Sequence, residues 1–252
     1  MMRDNMKKLI LILFSLTLWV NQIFAGSSRD FEAGHTEGFY STTIWVTGTT
    51  TISYFAWFCS ESSGATNIIG GSNASTTSDY ELLFTDATTN YVRINTRNAT
   101  TPNPSAISTN TLSLGAWSRA CGVRSALNAR TINLDGTVTT DTTAQTAAAT
   151  LDRSNIGIMI RPSVPSSYYD GLIAFAACWN TNLSLAQQNE LMWGIPPIYM
   201  ATANCKGYYP LQEASGNAID KSGNANTLIE YSGTIDVSTS SPPYVFIPQG
   251  GQ

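Results

Sequence analysis

Residues 51–59, TISYFAWFC, and residues 171–179, GLIAFAACW, decide the fold. Successive side chains of a strand point to opposite sides. In the first stretch Ile52, Tyr54, Ala56 and Phe58 therefore share one face, and Phe55, Trp57 and Cys59 share the other. A strand apolar on both faces lies inside a structure, or sets one face on the core and the other under a ligand groove. The second stretch is apolar on both sides in the same way. Around these two, shorter segments repeat the pattern. Residues 80–84 and 91–95 flank a turn at 86–90 and read as a hairpin. Residues 131–134 run into Asp135-Gly136, a turn-forming pair. Residues 155–160, NIGIMI, place three isoleucines on one face opposite Gly157 and Met159. Further strands are predicted at 117–123, 207–209, 227–231 and 244–247. Residues 139–150, TTDTTAQTAAAT, read as a solvated loop between strands.

One helix stands apart. Ser184-Leu-Ala-Gln187 is a capping-box pattern, in which the Ser hydroxyl serves an orphan N–H and Gln187 reciprocates. Leu185, Gln188, Leu191 and Met192 follow, Gly194 supplies the stop, and Pro196-Pro197 forbid continuation. Many short strands with one short helix near 184–193 predict an all-β protein: a two-sheet antiparallel β-sandwich of the jelly-roll type.

Composition agrees. Only 12% of the 252 residues are charged, against about 25% in an average domain, and Thr, Ser, Asn and Gly fill the stretches between apolar runs. Six Trp, eleven Tyr and nine Phe exclude a disordered chain. The net charge is −4 and no Lys/Arg cluster stands out in the sequence, so a nucleic-acid partner is not expected. At the N-terminus, Arg3, Lys7 and Lys8 precede an apolar run from Leu9 to Val20, and Ala25 offers a small exit residue. This is a secretory signal peptide pattern over 1–25, leaving 26–252 as one exported domain. The run is shorter than the roughly 20 residues a bilayer span needs, so no membrane span is expected after cleavage.

Cys59, Cys121, Cys178 and Cys205 permit two disulfides in an exported chain. Each also sits in an apolar run, where a free thiol behaves as a small core residue, so both readings stand. No Cys-x-x-Cys pair suggests zinc.

The second half resembles a known family. Trp117-Ser-Arg-Ala-Cys-Gly-Val123, Arg130-Thr-Ile-Asn-Leu-Asp-Gly136 and Asn155-Ile-Gly-Ile158 are similar to strand signatures of laminin G-like modules. So is Tyr169-Asp-Gly-Leu-Ile-Ala174, leading through Cys178-Trp-Asn180 and Leu183-Ser184 into the helix. These modules belong to the concanavalin A-like lectin/glucanase superfamily. The resemblance implies a jelly roll, glycan recognition and, in many members, calcium. One element departs from the family order. Gly207-Tyr-Tyr-Pro-Leu211 with Asp220-Lys-Ser-Gly-Asn224 commonly opens such a domain, yet here it follows the helix. It reads as the closing strand of a permuted jelly roll, since about 45 residues after Cys205 are too few for a second core.

The chemistry is limited. Glycosidases of the superfamily carry a Glu-x-Asp-x-x-Glu run, because retaining hydrolysis needs two carboxyl groups about 5 Å apart. No such run occurs. The nearest pairs, Asp30/Glu32 and Asp79/Glu81, lack the third acid in sequence and read as solvated surface. The sole His, His35, has no partnered nucleophile in a Gly-x-Ser-x-Gly elbow. No catalytic residue is assigned, and a non-enzyme is expected. Asp220, Ser222, Asn224 and Asn226 offer oxygens at alternate positions, suited to Ca²⁺. With one formal charge among them, a tight turn is the stronger expectation. Trp57, Trp117, Trp179 and Trp193 are expected in the core. Tyr168, Tyr169 and Asp170, after a Pro165-Ser-Ser loop, are the candidate glycan-binding residues, the tyrosines exposed for stacking. Two functions follow: a secreted lectin-like module that binds glycan, or a structural or adhesive surface or virion protein that contacts other proteins.

Overall fold

The computed structural model describes residues 27–45, 51–77, 79–86, 90–98, 104–145, 149–162, 165–232 and 234–243. The leader pattern and the strand expected at 244–247 lie outside these.

Two antiparallel sheets stack face to face. The first contains β1 (Ser28–Phe31), β3 (Ile52–Ser60), β8 (Trp117–Ala126), β9 (Ala129–Leu134), β10 (Thr137–Asp141), β12 (Gly171–Trp179), β13 (Cys205–Tyr209) and β15 (Asp236–Ser238). Its order is β10-β9-β8-β3-β12-β1-β15, with β13 also on β12. The second contains β2 (Phe39–Ser41), β4 (Asn67–Ser72), β5 (Tyr80–Thr85), β6 (Tyr91–Arg97), β7 (Ser105–Thr111), β11 (Arg153–Ile156) and β14 (Ile229–Glu230). Its order is β14-β2-β11-β4-β5-β6-β7.

The two deciding stretches become adjacent central strands. β3 pairs β12 on one side and β8 on the other, and every residue of β3 and β12 is buried. Ile52, Tyr54, Ala56 and Phe58 point into the sandwich core. Phe55 and Trp57 point outward, into a second apolar layer with Val123, Trp179, Leu191 and Met192. That layer is roofed by helix α1 (Leu185–Met192) and the short 3-10 turns after it. The cap forms as the sequence predicts: Ser184 Oγ accepts from the Gln187 N–H, and Gln187 Oε1 accepts from the Ser184 N–H at 2.9 Å. Greasiness on both faces of β3 and β12 thus has a physical reason. One face meets the other sheet and the opposite face meets a roof.

β12 enters through Asp170-Gly171, and only glycine serves there. Gly171 has φ +125, and a Cβ would stand 2.1 Å from the Cys59 carbonyl oxygen. Farther along, β12 shifts register between Ala174 and Ala177, with Phe175 at φ +51. This kink lets one edge serve two partners, β1 at residues 171–173 and β13 at 176–179. The element that departs from the family order therefore closes this sandwich as part of its first sheet.

Three expectations change. The stretch at 155–160 is not one strand: β11 ends at Ile156 because Gly157 turns to φ +71, though Ile158 and Ile160 stay buried. The expected loop at 139–150 begins as strand, since Thr137–Asp141 pairs with β9; alternating Thr suits a half-exposed edge. Trp193 leaves the core for the surface at 59% exposure, because it is the helix C-cap and follows the last inward turn. Cys59, Cys121, Cys178 and Cys205 are all buried free thiols. Burial pushes the Cys205 thiol up to about 12 and drives Cys178 well above its ordinary value.

Candidate functional site

The roof makes the two sheets unequal. The outer face of the eight-stranded sheet lies largely under α1 and its flanking turns, which leaves the outer face of the seven-stranded sheet, buried in its middle and partly exposed at its margins, as the candidate surface. Strand register maps that surface. Phe39, Ile156, Ile69, Leu83, Ile94 and Ala106 lie in one row across β2, β11, β4, β5, β6 and β7, and all enter the core. The adjacent row must then face outward: Tyr40, Asn155, Gly70, Leu82, Asn95 and Ser105. Residues 157–162 and 165–168 form a flap closed by the Met159–Ser166 bridge, and Met159 packs on Tyr80, Leu82 and Phe84.

The three predicted ligand residues part company in this frame. Tyr168 is half-buried on the outer face, close enough to Tyr231 that the two phenols interact electrostatically; burial first and Tyr231 second raise its pKa. Tyr231 is 38% exposed and meets Tyr40 edge-on at 5.9 Å between ring centroids. Tyr40, Tyr168 and Tyr231 thus make an aromatic group at the β2/β14 edge. Tyr169, by contrast, is fully buried: its hydroxyl bonds Ser60 Oγ at 2.9 Å and its ring meets Phe31 edge-on. The expectation of two exposed neighbouring tyrosines is corrected by strand-like alternation, which sends adjacent side chains to opposite sides. Asp170 goes elsewhere again, to the ends of β1, β3 and β12.

At those ends, carboxylate oxygens of Asp30, Glu32 and Glu61 lie within 4.8 Å of one another. Asp170 adds its charge. Burial and these neighbouring acids raise the pKa values of Asp30 and Glu61. The Asp30/Glu32 pair therefore gains a third acid that the sequence separates by about thirty residues. Three carboxylates so placed are the chemistry of a hard divalent cation, and such exposed acidic groups are also common without an ion.

The other acid pair is no surface feature. Glu81 points into the core and bonds Arg124 of the opposite sheet through both oxygens, Nη2 to Oε2 at 2.8 Å, with both side chains almost wholly buried. Asp79 accepts from the Thr150 N–H at 3.3 Å. Asp220, Ser222, Asn224 and Asn226 form a loop folded on β13. Asp220 Oδ1 accepts from the N–H groups of Tyr208 and Ser222, and Oδ2 accepts from that of Asn226. Asn224 and Asn226 donate to the carbonyls of Cys205 and Lys206. These side chains hold a turn to a strand, which favours the turn over a cation.

Comparison with known proteins fits this geometry. A family profile described as the concanavalin A-like lectin/glucanases superfamily matches residues 34–187. The chain belongs to this superfamily. No curated protein matches the sequence. Among solved structures, the chain is similar to a candidate carbohydrate-binding protein from Bacteroides ovatus, with a TM-score of 0.61 at 12% identity. The match covers 88% of this chain and 62% of that one, so the chain spans under two thirds of the Bacteroides protein. It is also similar to a heptameric SAP-like pentraxin from Limulus polyphemus, at TM-score 0.58 and 10% identity, covering 85% of this chain and 95% of that one. A third likeness is to the CBM40 of a Ruminococcus gnavus sialidase bound to α2,3 sialyllactose, at TM-score 0.50 and 11% identity, covering 57% and 84%. These likenesses establish the superfamily member's lectin-like fold. Among the described residues no helix is long and apolar enough to cross a membrane.

Proposed function

We propose that this superfamily member is a secreted, non-catalytic, lectin-like module that binds glycan on the outer face of its seven-stranded sheet. The observation that carries this reading is the asymmetry of the sandwich. One sheet is roofed by its own helix, and the other presents Tyr40, Tyr168 and Tyr231 together. A pyranose stacks its C–H face on such rings, while neighbouring polar groups meet its hydroxyls. The carbohydrate-binding neighbours support the same class of ligand, and the leader pattern of residues 1–25 supports export.

The alternative, a structural or adhesive protein that contacts other proteins, draws on the roof itself, where Trp193 and Tyr199 are 59% and 71% exposed. A glycan array with the wild type and a Tyr168→Ala/Tyr231→Ala double variant separates the two. Glycan signal in the wild type, reduced roughly tenfold to a hundredfold in the variant, is expected from losing two stacking contacts. A blank array overturns the proposal and leaves the protein-contact reading.

A further inference from the structure

The outer face of the seven-stranded sheet also carries a concentration of half-buried arginines, gathered around the buried Tyr80 and Phe84, that the sequence scatters over about seventy residues. Register places Arg153, Ser72, Tyr80 and Arg97 in one row across β11, β4, β5 and β6. This row alternates with the core-facing Gly71, Glu81 and Thr96, so it looks outward. Arg93 lies on the same face opposite Phe84, its guanidinium carbon 4.2 Å from the ring centroid. Arg161 reaches in from the flap. Its guanidinium carbon is 5.7 Å from the Tyr80 ring centroid, and that of Arg97 is 5.9 Å from the same ring. In a chain of net charge −4, four arginines converge on one surface.

Their partners differ. Arg93 pairs with Asp86 at 3.2 Å and Arg153 with its neighbour Asp152 at 3.5 Å. Among the described residues, Arg97 and Arg161 have no carboxylate within salt-bridge distance. The Arg161 Nε is buried with no acceptor among those residues. A guanidinium held against an aromatic ring keeps its plane fixed and sheds part of its hydration. Two such groups on one ring are donors only, five N–H bonds each, set before a ligand arrives. Hydroxyls satisfy donors weakly, whereas a carboxylate matches the guanidinium fork and its charge at once.

We propose that the glycan bound on this face is an acidic one, its carboxylate held between Arg97 and Arg161. The inference rests on reading this sheet face as the sugar-binding surface. The Met159–Ser166 bridge ties the two parts of the site together, since Arg161 lies two residues after Met159 and Tyr168 two residues after Ser166. β2, which carries Tyr40, and β5, which carries Tyr80, are three strand spacings apart, about 14 Å. That span suits an oligosaccharide of a few sugars, with neutral rings on the tyrosines and the acid at the arginines.

The test measures binding of the whole protein to polygalacturonate, to its methyl-esterified form and to dextran sulfate. Polygalacturonate is expected to bind at least about tenfold tighter than the ester, with affinity falling as salt rises. An Arg97→Gln/Arg161→Gln variant, with an unchanged unfolding temperature, loses that advantage. Arg97→Lys/Arg161→Lys keeps the charge without the fork and recovers it only in part. Equal binding of acid and ester, or an indifferent double Gln variant, overturns the acidic-glycan inference while leaving glycan binding in place. Binding of dextran sulfate alone overturns the carboxylate. Failure to bind any of these polymers, together with a blank glycan array, overturns both readings.

Discussion

Replacing Glu81 with Leu removes the carboxylate that joins the two sheets through the middle of the sandwich. Arg124 on β8 and Glu81 on β5 are exposed by only 2% and 1%, and Thr96 Oγ1 adds a bond to Glu81 at 3.3 Å. Burial opposes the Arg124 charge, and Glu81 more than restores it, so the guanidinium stays above its ordinary pKa. Without Glu81 that charge is still buried, and water cannot reach it without opening the sandwich. Breaking one partner of such a pair costs about 3–5 kcal/mol. In a domain of this size each kcal/mol lowers the melting temperature by roughly 2–4 °C, so a drop of about 6–20 °C is expected. The Glu81→Leu/Arg124→Met double variant exchanges the pair for apolar volume and is expected to recover most of the loss. Thermal and urea unfolding, followed by tryptophan fluorescence, measure all three proteins. A single variant within about 1 kcal/mol of wild type, or a double variant less stable than either single one, refutes the argument that the pair acts as a unit.

Two further outcomes follow from local geometry. Gly171→Ala places a methyl group against the Cys59 carbonyl at a φ that side chains rarely adopt; a loss of roughly 3 kcal/mol or more is expected in urea unfolding, against under about 1 kcal/mol for Gly34→Ala, whose Cβ meets nothing within 4 Å. At the acidic rim, burial and neighbouring acids raise the pKa values of Asp30 and Glu61 in the folded state. The native state therefore holds these protons more tightly than the unfolded chain, and stability falls as pH rises through the folded values. Asp30→Asn or Glu61→Gln is expected to raise the melting temperature at pH 7 by a small amount, with the gain vanishing toward about pH 3, below the ordinary carboxylate values. A gain that grows toward acid reverses the sign and rejects the electrostatic account.

Local patterns were legible where one rule decided the outcome. Alternation in β3 correctly divided Ile52, Tyr54, Ala56 and Phe58 from Phe55 and Trp57, because a strand has only two sides. Ser184 and Gln187 announced the helix start, because capping needs nothing beyond four residues. Tyr168 and Tyr169 read in sequence as a loop with both rings exposed, and the strand-like alternation that buries Tyr169 shows only once its hydroxyl meets Ser60. What stayed illegible was partnership at a distance. Nothing near Glu81 marks Arg124, 43 residues away, as its partner, and nothing near Asp30 announces Glu61. Tyr231 was placed on a predicted strand, but its meeting with Tyr40 depends on β14 pairing β2. Arg97 and Arg161 look like ordinary solvated cations until register and the flap bring both to Tyr80.

Charge placement ties these features to recognition. Arg29, Arg124 and Arg130 are buried, and each is spent inside the protein: Arg29 on the carbonyls of Gly216 and Ile235, Arg124 on Glu81, Arg130 on the carbonyls of Leu127 and Thr143. Arginines 93, 97, 153 and 161 share the outer face of the seven-stranded sheet, Arg93 and Arg153 with a paired acid each, whereas Asp30, Glu32, Glu61 and Asp170 gather at the ends of β1, β3 and β12 on the other sheet. A uniformly mixed surface would leave only a weak local field, but segregation of this kind gives the two regions potentials of opposite sign despite the modest net charge. An anionic chain would be drawn toward the arginine face and repelled from the acidic rim, so the same separation that selects the ligand also selects the side on which it lands. Reversing one end tests the link: Arg97→Glu should slow association with polygalacturonate more than it speeds dissociation, because long-range steering acts on the approach. An effect confined to dissociation would reduce Arg97 to a contact and remove steering from the argument.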